Sequence, residues 1–149
     1  MPQAQPPPPP PGHRLLALDP GERRTGVAVS DELGMFAHPR PAITASNREA
    51  LARAVARLVA EEGLNEVIVG LPLSLAGEDS AQTARVRDLI ALLRARLSVP
   101  VTAWDERLST VQAGRIAGGA ARRRSGDVDS AAAALILQAV LDSRAGASR

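Results

Sequence analysis

Apolar positions along the chain switch between strand-like runs and helical spacing. Arg14-Leu15-Leu16-Ala17-Leu18-Asp19 is a short apolar run stopped by Pro20-Gly21, a turn pair, and it predicts a first strand. Thr25 to Asp31 predicts a second strand, and a third opens at Gly34 and reaches Ile43. The short connections predict an antiparallel series. Pro39 and Pro41 donate no ladder hydrogen bond, so the third strand belongs at a sheet edge or ends early. Ser46-Asn47-Arg48-Glu49 fits a capping box, and Leu51, Val55, Leu58 and Val59 then follow helical spacing until Gly63. Glu66 to Leu71 is apolar through its centre, as a strand covered on both faces should be. Asp79 or Ser80 can cap a second helix with the stripe Val86, Leu89, Ile90, Leu93 and Leu97. Val99 to Trp104 predicts another strand, running into Asp105-Glu106. Ser109-Thr110-Val111-Gln112 fits a further capping box, with Gly118-Gly119 closing a short helix. Asp129 to about Ser143 predicts an Ala-rich last helix carrying Leu135, Ile136, Leu137, Val140 and Leu141.

The order is three strands, then helix, strand, helix, strand and closing helices. A meander followed by strand–helix–strand crossovers gives an α/β fold with a mixed five-stranded sheet. The first three strands run antiparallel, and the first, fourth and fifth run parallel. Helices cover both faces, which is the ribonuclease H-like (RNase H-like) layout. Seven prolines fall in residues 1–13, six of them consecutive from Pro6 to Pro11. We read this stretch as a disordered polyproline spacer. Residues 14–144 form the expected domain and 145–149 a C-terminal tail. No apolar run reaches the roughly 18 residues of a membrane span, and the tail lacks the apolar centre of a signal peptide. The expected location is the cytoplasm.

Composition narrows the chemistry. Cysteine is absent, which excludes disulfides, thiolate metal sites and thiol nucleophiles. All 18 basic residues are arginine, so no lysine can serve a phosphate loop or a Schiff base. His13 and His38 are the only histidines, and Phe36 and Trp104 the only aromatics. A His-rich metal site and an aromatic base-stacking platform are both excluded. What remains is carboxylates, hydroxyls, arginines and backbone amides. The net charge of +2 is unevenly placed: from Arg107 onward, seven arginines face three acids. A basic C-terminal third suits a phosphate-bearing partner.

Three acids fall where this architecture gathers groups. Asp19 ends the first strand, Asp105 or Glu106 ends the last, and Asp129 opens the last long helix. Carboxyl ends of parallel strands face a common crevice. Clustered carboxylates repel unless a cation joins them, and oxygen donors without His or Cys suit Mg²⁺ or Mn²⁺. Such ions activate water and stabilise the leaving oxygen of a phosphodiester. Neighbouring strand residues point to opposite faces, so only one of Asp105 and Glu106 should join the cluster. Arginine forks suit phosphate oxygens. The candidates are Arg23 and Arg24 after the first strand, Arg107 after the last, and Arg122, Arg123 and Arg124 in a basic loop read as mobile. Ser109 and Thr110 can offer hydroxyls to phosphate, and Ser109 can equally cap the following helix. The loop from Gly70 to Gly77 can bring backbone amides to a phosphate.

Four stretches together resemble the YqgF/RuvX family. Leu18-Asp19-Pro20-Gly21 with Arg24, Gly26, Val27, Ala28 and Asp31 looks like its opening motif. Val69-Gly70-Leu71-Pro72-Leu73 with Gly77 looks like its middle motif. Asp105-Glu106-Arg107-Leu108-Ser109-Thr110 with Ala113 looks like its signature. Asp129, Ala131-Ala132, Leu137-Gln138 and Leu141 look like its last motif. The resemblance runs from Leu15 to Leu141. It implies an RNase H-like fold and metal-dependent phosphodiester hydrolysis, with Asp19, Glu106 and Asp129 as catalytic acids holding Mg²⁺ or Mn²⁺. It favours Glu106 over Asp105. It further implies a cytoplasmic bacterial enzyme that trims the 5′ end of precursor 16S rRNA. Structured RNA is the expected partner, with branched DNA second, and no membrane. Cleavage of four-way DNA junctions would need a dimer with two spaced sites; a monomer or weak homodimer is expected. A third reading is a non-catalytic nucleic-acid-binding factor. The chain departs from the family in its proline tail, in arginine where lysine is common, and in Ala76 where an acid is frequent.

Overall fold

The computed structural model describes residues 12–74, 76–110 and 130–147. Five strands form one sheet: β1 (Leu15–Pro20), β2 (Arg24–Ser30), β3 (Ala37–Thr44), β4 (Glu66–Leu71) and β5 (Val101–Asp105), in the order β3-β2-β1-β4-β5. β1 pairs antiparallel with β2 and parallel with β4, and β4 pairs parallel with β5. β1 is therefore central, as a strand whose Leu15 to Leu18 are all buried requires. The proline-bearing β3 takes an edge, where Pro39 faces Ala28 of β2.

Side-chain alternation along β1 splits the core in two. Leu16 and Leu18 join a cluster beneath α1 (Arg48–Glu62) and α2 (Ala81–Arg96). Leu15 and Ala17 join a cluster beneath the last helix of the described residues, Ala131–Ala147. Among the described residues between β5 and that helix is one turn, α3 (Arg107–Thr110), and Ala131–Ala147 is labelled α4 here.

Several boundaries differ from the sequence expectation, each for a local reason. The third strand starts at Ala37 rather than Gly34, because the Asp31 carboxylate accepts from the amides of Met35 and Phe36 and holds a turn there. Gly34 closes that turn at φ 70°, a conformation suited to glycine. Helix α1 is capped by Asn47, not Ser46; its side chain accepts from the Ala50 amide, while Glu49 pairs with Arg96 instead of completing a box. Ser80 caps α2 in a reciprocal box with Thr83, and Asp79 binds Arg87. β5 starts at Val101, two residues later than expected.

α4 runs on to Ala147, through the expected domain end at residue 144. Its hold there is Arg144, whose two terminal nitrogens each donate to Glu66 at 2.8 Å. Burial alone would push the Glu66 carboxyl up, but Arg144, Thr102 and His13 outweigh it and hold it below its ordinary range. Stability from this cluster is present above that range and is lost on acidification through it. Arg144→Ala leaves the buried Glu66 carboxylate with Thr102 and His13 alone and is expected to lower unfolding free energy by about 2 kcal/mol in urea titrations. A change below about 0.5 kcal/mol would place the pair among ordinary surface bridges.

Candidate active site

Asp19 lies on the α4 side of β1, in alternation with Leu15 and Ala17, and pairs across the ladder with Gly26. β5 delivers the second acid. The amide of Glu106 donates to Leu71 O at 3.1 Å, extending the β4–β5 pairing one residue past Asp105. The chain then turns into α3, and Ser109 fixes that turn. Its amide and hydroxyl both donate to the Glu106 carbonyl, at 3.1 and 2.8 Å.

The two adjacent acids part ways here. Asp105 is gripped by Arg107: Nε lies 3.0 Å from both carboxylate oxygens and Nη2 lies 2.6 Å from Oδ2. These hydrogen bonds hold the Asp105 carboxyl below its ordinary range. Glu106 turns the other way and meets Asp19. Burial pushes the Glu106 carboxyl up, a hydrogen bond and the charge of Asp19 push it further, and Asp105 adds repulsion, raising it to about 8.

Gly70 makes room for this meeting. A Cβ there would lie 2.6 Å from Ile136 Cδ1 and 2.9 Å from Glu106 Oε1. The apolar run of β4 is broken by glycine because the Glu106 side chain crosses it. Gly70→Ala must therefore displace the carboxylate or the isoleucine. We expect a loss of activity on the order of 10²-fold, with only about 1–3 kcal/mol of stability lost to overpacking. Paired turnover and denaturation measurements check this; equal activity would show that the carboxylate tolerates the shift.

The start of α4 is tied to the same place. A register shift between Thr25 and Val27 frees the Val27 amide from β3, and Ser130 Oγ accepts it at 3.0 Å while donating to Arg40 O. Ser130 is fully buried, and Val27 neighbours Gly26, the ladder partner of Asp19. Sequence reasoning passed over Ser130, although a serine opening an alanine-rich helix fits a helix start.

The remaining predicted residues fall as follows. Arg107 spends its fork on Asp105 and reaches the Ser74 carbonyl at 3.5 Å, tethering β5 to the loop after β4 instead of pointing a whole guanidinium outward. Ser109 is buried and bonded to Glu106, so its hydroxyl positions the turn where a phosphate contact or helix cap was expected. Thr110 is the last described residue of α3. Arg24 opens β2, and Arg23 is exposed on the turn before it. The Gly77 amide, a candidate phosphate donor, bonds to Ser74 O at 2.8 Å. Asp129, Arg122, Arg123 and Arg124 lie outside the described residues.

Among the described residues no group of three or more His, Cys, Asp or Glu is placed to hold a metal ion. The Asp19–Glu106 pair is what they offer a cation. Its donors are all oxygen, and burial together with the adjacent Asp19 and Asp105 raises the Glu106 carboxyl to about 8. That donor set fits a hard divalent ion, which would relieve the repulsion.

The family model described as RuvX, Holliday junction resolvase, matches residues 13–143. The chain belongs to the RuvX family. Curated RuvX-like relatives include a "Putative pre-16S rRNA nuclease" of Koribacter versatilis, 39% identical over 134 residues, spanning 88% of each chain. Another of the same name, from Oleidesulfovibrio alaskensis, is 43% identical over 132 residues, 87% of this chain and 92% of that one. Among solved structures, Thermus thermophilus RuvC in complex with Holliday junction substrate superposes with a TM-score of 0.65, covering 90% of this chain and 96% of that one at 16% identity. This likeness is one of fold: the RuvX chain has the RNase H-like α/β architecture expected from its strand order.

Proposed function

We propose that this RuvX-family chain is a divalent-metal-dependent nuclease that hydrolyses phosphodiester bonds in maturing the 5′ end of precursor 16S rRNA, acting in the cytoplasm. The observation that carries the reading is the contact between Asp19 and Glu106 at the carboxyl ends of β1 and β5. The names of relatives matched over nearly their whole length favour the rRNA substrate. Among the described residues no helix is long and apolar enough to cross a membrane.

Asp19 and Glu106 would hold Mg²⁺ or Mn²⁺, with Asp129 as third ligand. The anchoring of Ser130 next to the Asp19 ladder pair supports that third assignment, since Asp129 precedes Ser130 directly in the chain. When bound, the ion supplies a more acidic water and charge stabilisation at the leaving oxygen. The chain's own part is to hold the carboxylates ready. Gly70 leaves the space, Leu71 O and Ser109 fix the Glu106 backbone, and Arg107 keeps Asp105 out of the cluster. With the Glu106 carboxyl raised to about 8, binding of an ion there would be coupled to release of its proton. Arg24 and the Arg122–Arg124 stretch would hold the RNA backbone.

The test uses wild type and Asp19→Asn with a precursor 16S rRNA 5′ end, a four-way DNA junction and linear duplex, each with Mn²⁺ or EDTA. Metal-dependent RNA cleavage that is lost in the variant supports the proposal. Symmetric cutting of the junction with the RNA left intact overturns its substrate. Tight binding without cleavage of any substrate overturns its chemistry.

A further inference from the structure

On the face of the sheet opposite the carboxylate pair, the chain leaves a cleft of about 180 Å³. The β1–β2 turn forms one wall, the entry to α1 a second and the first half of α2 a third. Leu51, Val86 and Leu89 make an apolar floor. Arg23, Arg48 and Arg85 line the rim, one from each wall, with Glu22 the acid among them. Arg48 reaches Asp88 at 3.4 Å across an exposed pair. Among the described residues, no ion pair or side-chain hydrogen bond engages Arg23 or Arg85. Three guanidinium groups around an apolar floor match one chemistry well: phosphate at the rim and a base or sugar on the floor.

The location points to a strand rather than a free nucleotide. Pro20 lines the cleft and directly follows Asp19, so their Cα atoms are about 3.8 Å apart. Alternation sends Asp19 to the α4 face and Pro20 to the other. The turn stays narrow because Gly21 closes it: its amide donates to Arg24 O at 3.0 Å, and a Cβ there would lie 2.7 Å from that oxygen. The carboxylate pair and the cleft thus lie on the two sides of one turn, where an extended strand could touch both and a free nucleotide could not.

We propose that the Arg23–Arg48–Arg85 cleft binds the phosphate and nucleotide that flank the cut in a single-stranded nucleic acid. The inference rests on the nuclease reading for what lies next door, and it adds a site on the other face of the sheet. Arg48 and Arg85 are distant in sequence and join Arg23 only through the packing of α1 against α2.

The experiment measures binding apart from cleavage. A fluorescent eight-nucleotide single-stranded RNA is titrated in EDTA into wild type, Arg48→Gln/Arg85→Gln, and the control Arg53→Gln/Arg57→Gln, with AMP and inorganic phosphate as competitors. The control removes the same charge from exposed positions of α1 that do not line the cleft. We expect the cleft variant to bind about 100-fold more weakly, roughly tenfold per arginine, and its log–log salt slope to fall by about 1.4. The control should change less than about threefold, as exposed charges away from a ligand do. AMP should compete only at far higher concentration than unlabelled octamer. Equal losses in the two variants would overturn the cleft, as would AMP binding as tightly as the octamer. Cleft-dependent binding by a protein that cuts no RNA would support the cleft and overturn the nuclease reading. Cleavage with octamer binding unaffected by the cleft variant would do the reverse.

Discussion

Asp19→Asn is expected to reduce Mn²⁺-dependent cleavage of a precursor 16S rRNA 5′ end by on the order of 10³-fold or more. Losing one of the proposed anionic ligands would remove several kcal/mol of charge stabilisation, and each 1.4 kcal/mol is a factor of ten. Folding should survive the change. Asp19 is partly exposed at a strand end, and its removal takes away the charge that opposes ionisation of Glu106. Melting temperature in EDTA is thus expected to hold or rise, most clearly at alkaline pH. Single-turnover cleavage assays and thermal melts on the same preparation check both halves. A variant that melts early and is inactive would point to a structural aspartate; one that cuts at the wild-type rate would remove Asp19 from the chemistry.

The second large effect is on stability against pH without metal. Glu106 is raised from an ordinary carboxyl value to about 8 in the folded chain. Between roughly pH 5 and pH 8 the folded state keeps a proton that the unfolded chain releases. Stability is therefore present below the unfolded value and lost as pH climbs through the folded one. Allowing for the half-open setting, which screens the charges, the loss across this window is about 2 kcal/mol. Glu106→Gln should flatten the slope and exceed wild type in stability at pH 8. Mn²⁺ should reverse the wild-type slope, because the ion binds the deprotonated form of the folded state. Denaturant titrations at four or five pH values in EDTA, and again with Mn²⁺, show this. A wild-type slope that rises over the same window and parallels that of Glu106→Gln would contradict the assignment of the raised carboxyl.

The sequence made the sheet legible because its signals are local. The continuous apolar runs of β1 and β4 report burial on two faces, and Pro39 and Pro41 mark the edge occupied by β3. Asp19 and Glu106 could be nominated as strand-end acids from the same pattern. Choosing between Asp105 and Glu106 was beyond periodicity. The strand gives way to a helical turn at this point, and Arg107 folds back onto the residue two before it. Gly70 read as a loop glycine, because the reason for it, the crossing of Glu106, comes from a strand about 35 residues later. The tether between Ser130 and Val27 depends on a register shift that leaves no mark in composition. The arginine cleft was illegible for a similar cause: three helix and turn surfaces supply it, and each arginine alone looks like solvated charge.

The most direct test of the account is calorimetric titration of Mn²⁺ into wild type and Glu106→Gln at pH 7, in two buffers of different ionisation enthalpy. The account predicts that wild type binds Mn²⁺ and releases about one proton per ion, and that Glu106→Gln binds far more weakly and releases none. Equal Mn²⁺ affinity in the two proteins, or binding by wild type without proton release, would contradict a divalent ion shared by Asp19 and Glu106.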